Sequence, residues 1–525
     1  MGISFHHPVA FWTGIAALTA GVLSHFPMLL HASHVGYRMA GMPMDPMMIT
    51  GMALIPLGVA LATYGLMPRI AAMRGAALPM RELRVRVAEH VSLNRAHWGL
   101  VMALVVALAV DVQKPATLGF VIPGMTREYG ISSERASWLA LVALTGTTIG
   151  SFAWGWLADR LGRRAAILLS ALMFMGTAIC GAMPSFEWNL AMCFLMGAAA
   201  GGLLPIAFTL MAETIPARHR GWLLVMLGGV GTSAGYLLAA GGAAWLEPIF
   251  SWRSLWLLGL PTGAIIVLLN RFIPESPRFL ASQGLEREAR AVLSRFGVEV
   301  EEGPAIAAPA PDPVGGWRRL RASHGRITLW LFVAGLSWGL VNFGFLLWLP
   351  VNLGRMGMDP AAASGLIARS AFIAIPGIGI VVALYHRWSS FKALALFMAL
   401  AAASLLAFFA MGVTGALSRG AVVAATALLL VSTSGVIAML IPYASEIFPV
   451  DLRGTGAGLI AGSTKLGGIV GAALGVGGLF QHFALSALAI SVPLSFAAAM
   501  LALSAVETRG RGLEAIEASL AGRAD

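Results

Sequence analysis

Three ionisable side chains stand inside long apolar runs of this sequence: Asp111, Lys114 and Lys465. A charge that meets hydrocarbon costs a few kcal/mol or more, so such a group normally faces a cavity or a partner. Asp111 has the chemistry to carry a proton, and Lys465 to attract the negative group of an anionic solute. Lys114 follows Asp111 by three residues on one helical face, where an ion pair between them would tune the carboxylate. The plainer alternative is a permanent Asp111–Lys114 salt bridge that only neutralises two charges, and a Lys465 that snorkels or pins a helix. Gln113, Asn342 and Tyr443 are polar points on otherwise apolar stretches, suited to bonding a solute or a neighbouring helix. Arg369, near the start of another apolar run, reads as interfacial.

The elements that must position these groups are membrane helices. With 58% hydrophobic and 11% charged residues and a mean hydropathy of +0.82, the 525-residue chain has too little polar surface for a soluble globule. Apolar runs of bilayer-spanning length fall at about 10–30, 48–68, 98–123, 136–157, 165–183, 189–212, 222–246 and 254–271. Six more follow at about 327–350, 364–385, 392–412, 421–444, 455–479 and 484–505. The fold class is therefore an all-α membrane protein with fourteen spans arranged as two plus six plus six. The first run has neither a basic leader nor a small-residue cleavage site, so it is expected to remain as a span rather than leave as a signal peptide.

The net charge of +11 does not point to nucleic acid, because the basic residues sit in short loops between spans. Counted from a cytoplasmic N-terminus, the inner loops hold Arg69, Arg74, Arg81, Arg84 and Arg86, then Arg160, Arg163 and Arg164, then Arg218 and Arg220. Cys180 and Cys193 both lie in apolar runs and read as buried packing residues, not as a disulfide. The dipeptide Gly-Lys of a phosphate-binding loop never occurs, so no ATP engine is expected and the chain is not read as an enzyme.

An internal duplication organises the two sets of six. Glu213-Thr-Ile-Pro216-Ala-Arg-His-Arg220-Gly221 recurs in outline as Glu446-Ile-Phe-Pro449-Val-Asp-Leu-Arg453-Gly454, each copy between a long apolar run and a Gly-rich one. The expected organisation is an N-terminal two-helix extension over 1–97, a first bundle over 98–271, an inner linker over 272–326, a second bundle over 327–505 and a tail over 506–525. Within the linker Leu285, Ala289, Val292, Leu293 and Phe296 share one helical face, ahead of a Pro/Ala run that begins at Pro304.

After the fourth span comes Gly155-Trp-Leu-Ala-Asp159-Arg160-Leu-Gly162-Arg163-Arg164, a short inner loop whose Asp can pair with arginines or cap a helix. This run resembles the signature loop of the major facilitator superfamily, and the resemblance covers about residues 98–515. Pro274-Glu275-Ser276-Pro277-Arg278 and Glu507-Thr-Arg-Gly510-Arg511 resemble the sugar-porter branch. Asp111 with Leu118-Gly-Phe-Val-Ile-Pro123, and Phe194-Leu-Met-Gly197 with Gly201-Gly-Leu-Leu-Pro205, are similar to the aromatic-acid/proton symporters.

The resemblance implies a twelve-helix core, to which the first two apolar runs add two N-terminal helices outside its reach, and a substrate-associated cation at Lys465, where those symporters have Arg. It implies gates at Gly155, Asp159, Arg160, Gly162 and Arg163 and at the repeated Glu213, Arg220, Glu446 and Arg453. Three departures stand out: Cys193 replaces the family's Arg, the second-half loop is reduced to Tyr385-His386-Arg387-Trp388, and Lys114 follows Asp111 where those symporters usually have a second acidic residue.

In the extension, His25, Met28, His31, His34, Met39, Met42, Met44, Met47, Met48 and Met52 crowd into one hairpin. Such groups suit Cu(I), but no fixed ligand spacing is present and the expectation is an accessory hairpin without metal or cofactor. The function read from the whole is a secondary active transporter of a small organic solute, an organic anion, driven by protons and working by alternating access. The partners are the solute, protons and the bilayer, in the bacterial inner membrane with both termini cytoplasmic. A sugar carrier, a metal-handling carrier and a non-transporting sensor are the alternatives.

Overall fold

The structure, a computed structural model, describes residues 7–67, 91–297, 313–415, 418–448, 453–504 and 506–507. The basic residues from Arg69 to Arg86, most of the Pro/Ala run and the tail beyond Glu507 lie outside the described residues.

Among the described residues fourteen helices are long and apolar enough to cross a membrane. The extension supplies α1 (Pro8–Val35) and α2 (Pro46–Leu66). The first bundle comprises α3 (Arg95–Tyr129), α4 (Ser133–Leu161), α5 (Arg163–Ala182), α6 (Phe186–Thr214), α7 (Arg218–Phe250) and α8 (Ser254–Phe272). The second comprises α9 (His324–Arg355), α10 (Pro360–Arg387), α11 (Ser390–Thr414), α12 (Arg419–Ala444), α13 (Gly456–Val476) and α14 (Phe483–Leu503).

Each apolar run expected from the sequence overlaps one of these helices over most of its length. The clearest difference is α3, which continues through Pro115 and past Pro123 to Tyr129. Proline is tolerated inside a membrane helix when side chains or neighbours satisfy the carbonyls it frees. The carbonyls that Pro115 and Pro123 free are those of Asp111 and Gly119, four residues back in each case.

The halves meet through α7 packed on α10 and α12, α4 on α13, and α3 on the C-terminal part of α9. The extension packs chiefly on α5. Its two helices approach along a seam of glycines seven apart, Gly14 and Gly21 on α1 facing Gly51, Gly58 and Gly65 on α2. A Cβ at Gly21 would stand 2.8 Å from the Gly51 carbonyl oxygen, and one at Gly58 would stand 2.6 Å from Gly14's. In hydrocarbon, where no hydrophobic effect joins helices, such close backbone approach is the main source of attraction.

The linker helix Glu286–Arg295 carries its apolar face inward, as its spacing predicts. Leu285, Ala289, Val292, Leu293 and Phe296 are all buried, with the Phe296 ring edge-on to His97 at 4.9 Å between centroids. Asn94, which caps the start of α3, also donates through Nδ2 to the Arg295 carbonyl at 3.1 Å. Three of those side chains, Val292, Leu293 and Phe296, contribute roughly 1.5–3 kcal/mol each, enough to hold the helix against the bundle.

Candidate functional site

A cavity of about 70 Å³ lies between the halves, midway along α3, lined by Asp111, Tyr236, Trp338, Asn342, Phe343 and Lys465 among others. Asp111 comes from the first half and Lys465 from the second. Asp111 is 7% exposed, and its Oδ1 is buried without a hydrogen-bond partner. The charge that acts on the carboxylate is that of Lys465. Pro115, one turn on and also in the lining, has no N–H to give the Asp111 carbonyl, so a backbone acceptor accompanies the carboxylate.

The second-half wall depends on an irregularity in α9. Residues Val341–Leu346 take π-helical geometry, which widens the turn that presents Asn342 and Phe343. Asn342 Nδ2 donates to the Trp338 carbonyl at 3.1 Å, leaving Oδ1 to accept from Tyr236 across the halves at 3.4 Å. The glycines around Lys465 let α13 press on α9: a Cβ at Gly468 would meet the Phe343 ring at 2.8 Å.

Lys114 requires a correction. It makes no ion pair with Asp111: its ammonium donates to Thr177 Oγ1 at 2.6 Å and to the Phe174 carbonyl, and sits 4.0 Å above the Phe174 ring. Residues three apart on a helix are offset by about 60° around the axis, which is enough to send Asp111 to the cavity and Lys114 into the first bundle. The acceptors exist because α5 tightens to 3-10 geometry from Thr177. Lys114 is therefore absent from the cavity wall.

Tyr443 is also elsewhere, with its hydroxyl donating to the Val506 carbonyl at 2.7 Å. Gln113 is buried at 1% exposure but does not line the cavity. Of the six residues singled out for substrate or proton, Asp111, Asn342 and Lys465 converge. Tyr236, Trp338 and Phe343 were missed, because an aromatic on an apolar helix looks like ordinary packing until its neighbours are known.

The loop residues converge at the opposite end of the bundle from the extension's connecting loop. Gly162 (φ +102°) lets the chain turn from α4 into α5 while the Glu275 carboxyl fills the space a Cβ would need. Glu275 Oε1 accepts from the backbone N–H of Arg163 at 2.7 Å and of Ser276 at 2.9 Å, placing a carboxylate on a helix N-terminus. Burial pushes its pKa up to about 7, against the pull of those backbone donors. Arg163 reaches Asp159 at 3.3 Å and Glu213 at 3.8 Å, and Ser276 Oγ donates to Glu213.

The second half repeats parts of the scheme. Glu507 Oε1 accepts from the Ser390 N–H at 3.1 Å and Oγ at 2.6 Å at the start of α11, and Glu446 accepts from Tyr385 at 3.1 Å. Arg160 lies outside this network, stacked on the exposed Trp156 at 4.0 Å, and Gly155 has open space beside it. Arg220 Nη2 reaches the Ile215 carbonyl at 3.5 Å, while the Arg453 side chain lies outside the described residues.

At the other end Arg253 is fully buried and spends all its donors. It pairs with Glu128 at 2.6 Å, reaches Tyr129 at 3.1 Å, and gives Nη1 to the Gly181 and Met183 carbonyls at 2.9 Å each. Glu128 in turn accepts from the backbone of Met39 at 2.7 Å and Ala40 at 3.1 Å in the extension's loop. Met39 of that loop and Met48 of α2 pack with Leu29, Ala32 and Ala182, so these thioethers serve as apolar filler. Among the described residues no three His, Cys, Asp or Glu come together as metal ligands.

Two six-helix bundles around a charged midplane cavity, with duplicated loops at one end, match a known family. Residues 99–472 fit the Major Facilitator Superfamily model. The chain belongs to that superfamily. Among curated relatives, the niacin transporter NiaP of Acinetobacter baylyi is 26% identical over 82% of this chain and 98% of its own length. The 4-hydroxybenzoate transporter PcaK of Pseudomonas aeruginosa is 29% identical over 78% of this chain and 93% of its own. The gallate transporter of Pseudomonas putida is 28% identical over 80% and 94%. Of solved structures, the E. coli xylose transporter XylE in a partially occluded inward-open conformation superposes with a TM-score of 0.61 at 18% identity. It covers 80% of this chain and 100% of its own. The superfamily match begins at the fifth residue of α3, so the extension lies outside it.

Proposed function

We propose that this superfamily member is a proton-coupled symporter of aromatic monocarboxylates, working by alternating access in a bacterial inner membrane with both termini cytoplasmic. The observation that carries the reading is the single cavity in which Asp111 and Lys465 face each other from opposite halves, between aromatic walls. The relatives support the substrate class: niacin, 4-hydroxybenzoate and gallate each combine one ring with one carboxylate. A neutral sugar gives Lys465 no task.

The coupling follows from charge balance. With the site empty, Lys465 is the cation that compensates Asp111. A substrate carboxylate that takes Lys465 leaves Asp111 uncompensated in a low-dielectric site, and a proton on Asp111 restores neutrality. Proton and anion therefore load together and cross as a neutral set, while Tyr236, Trp338 and Phe343 hold the ring. At about 70 Å³ the cavity is smaller than the roughly 300–1,000 Å³ of ligand pockets, so the halves must part to admit a solute. The Asp159–Arg163–Glu213–Glu275 network and its second-half counterpart serve as the gate at one end.

Uptake by sealed vesicles holding the purified protein tests this. Wild type accumulates a benzoate-type anion when the outside is acidified, whereas Asp111→Asn exchanges labelled for unlabelled solute but does not accumulate it. Lys465→Ala loses both. Accumulation by Asp111→Asn would sink the coupling assignment, and ligand binding without flux in the wild type would make the protein a sensor.

A further inference from the structure

A groove on the lipid-facing side of the second half is capped at one end by two arginines. It runs between α10 and α12, with Leu237 of α7 at its floor, and its only charged lining residues are Arg369 and Arg419. Neither guanidinium is bonded to another described residue, and both are exposed. Below them the wall is apolar and open: Phe372 is 68% exposed and Ile380 62%. Pro376 and Gly377 keep side-chain bulk out of the middle.

Lengths identify what fits. From Arg369 to Ile380 the helical rise is about 16 Å, and from Arg419 to Val431 about 18 Å. Half of a bilayer's hydrocarbon core is about 15 Å. The groove therefore spans one leaflet, with both cations at the headgroup end. Arg419 is the first residue of its helix, and α10 starts at Asp359 and Pro360, which border the extension's loop. The occupied leaflet is thus the one at that end of the protein.

We propose that this groove is a binding site for an anionic phospholipid, its phosphate shared by Arg369 and Arg419 and an acyl chain lying along Phe372, Ile373 and Ile380. Two cations without a lining acid favour a headgroup of net negative charge, because a zwitterionic one brings a cation of its own. A second copy of the chain would have to present an acidic group at lipid-headgroup depth to satisfy the same pair. The site lies on the outside of α10, whose inner side packs on α7 at the seam between the halves, so its occupant touches a helix of the proposed moving interface.

The test uses the full chain, stripped of lipid in detergent and titrated with phosphatidylglycerol or phosphatidylcholine, with retained lipid counted by native mass spectrometry. Wild type retains phosphatidylglycerol selectively. Arg369→Gln with Arg419→Gln weakens that retention about 30-fold, each cation near an anionic headgroup being worth roughly a factor of five. The double Lys variant keeps most of it, and Lys392→Gln, at the opposite end of the α10–α11 hairpin, changes nothing. Equal retention by the double Gln variant would overturn the proposal, as would equal retention of phosphatidylcholine by the wild type. Displacement by inorganic phosphate alone would reassign the arginines to a free anion. A lipid-free dimer that dissociates in the double Gln variant would assign the groove to a second copy.

Discussion

Gly119→Ala is the sharpest perturbation of the proposed rocking motion. Gly119 lies on α3 beyond Asp111, and a Cβ there would overlap the Leu347 carbonyl oxygen and stand 3.1 Å from its carbonyl carbon. Leu347 belongs to α9, in the other half, so the methyl strikes backbone that cannot rotate away. Ordinary contact begins near 3.4 Å. The halves must separate by about 1 Å locally, and overpacking of this kind costs about 1–3 kcal/mol. Rigid backbone argues for the upper end, which shifts a two-state equilibrium by about 150-fold.

The cost falls on the closed arrangement at this end, where Arg355 Nη2 donates to Ser133 Oγ across the halves at 2.9 Å. Neither half loses any of its own core. Spin labels on cysteines introduced at Ser132 and Met356, with Cys180 and Cys193 replaced by Ala, would read the separation by pulsed electron resonance. The expected result is a longer-distance population that dominates in Gly119→Ala and slower transport at near-normal thermal stability. An unchanged distance distribution with normal transport would refute the claim that this contact closes the carrier.

Three other outcomes follow from the geometry. Lys114→Met should keep anion binding and lose about 1–3 kcal/mol of stability through the loss of its hydrogen bonds to Thr177 Oγ1 and the Phe174 carbonyl, whereas Lys465→Met should lose binding; thermal melts with and without ligand separate the two. Arg253→Met should strand the buried Glu128 at a cost of about 3–5 kcal/mol and loosen the extension, seen as faster hydrogen exchange at the Met39 and Ala40 amides. For Glu275 the folded pKa of about 7 lies above the ordinary value of 4.5, so the folded state holds its proton longer. Stability should then fall as pH rises from about 4.5 to about 7 and level off above, by at most about 3 kcal/mol, and Glu275→Gln should flatten that slope in a pH series of melts.

The fourteen spans and the two-plus-six-plus-six organisation were legible because the bilayer imposes one length and one polarity on every crossing segment. The duplicated Glu-x-x-Pro-x-x-x-Arg-Gly outline pointed to the two bundles, and the Asp159 loop to its neighbours. Asp111 and Lys465 were legible because a charge in hydrocarbon needs a reason. Their mutual approach was not, since it joins residues from opposite halves. Lys114 misled for the opposite reason: three residues is close in sequence, but the competing acceptors on α5 are visible only once the helices are packed. The Glu128–Arg253 pair went unread because each stands near the end of a span, where charges are commonplace. The seven-residue glycine spacing of α1 and α2 was present in the sequence and would have announced their contact.

The extension's attachment has a mechanical consequence. Because its helices pack chiefly on α5 and its loop is bonded to Glu128, it would travel with the first bundle in the proposed rocking motion. One rocking unit then crosses the bilayer eight times and the other six. In a viscous two-dimensional fluid the unit with the larger perimeter meets more drag and turns less, so the second bundle should sweep the larger angle relative to the membrane plane. Removing the hairpin would even out that division of movement, so in the proposed carrier the hairpin would act as ballast, packed away from the midplane cavity.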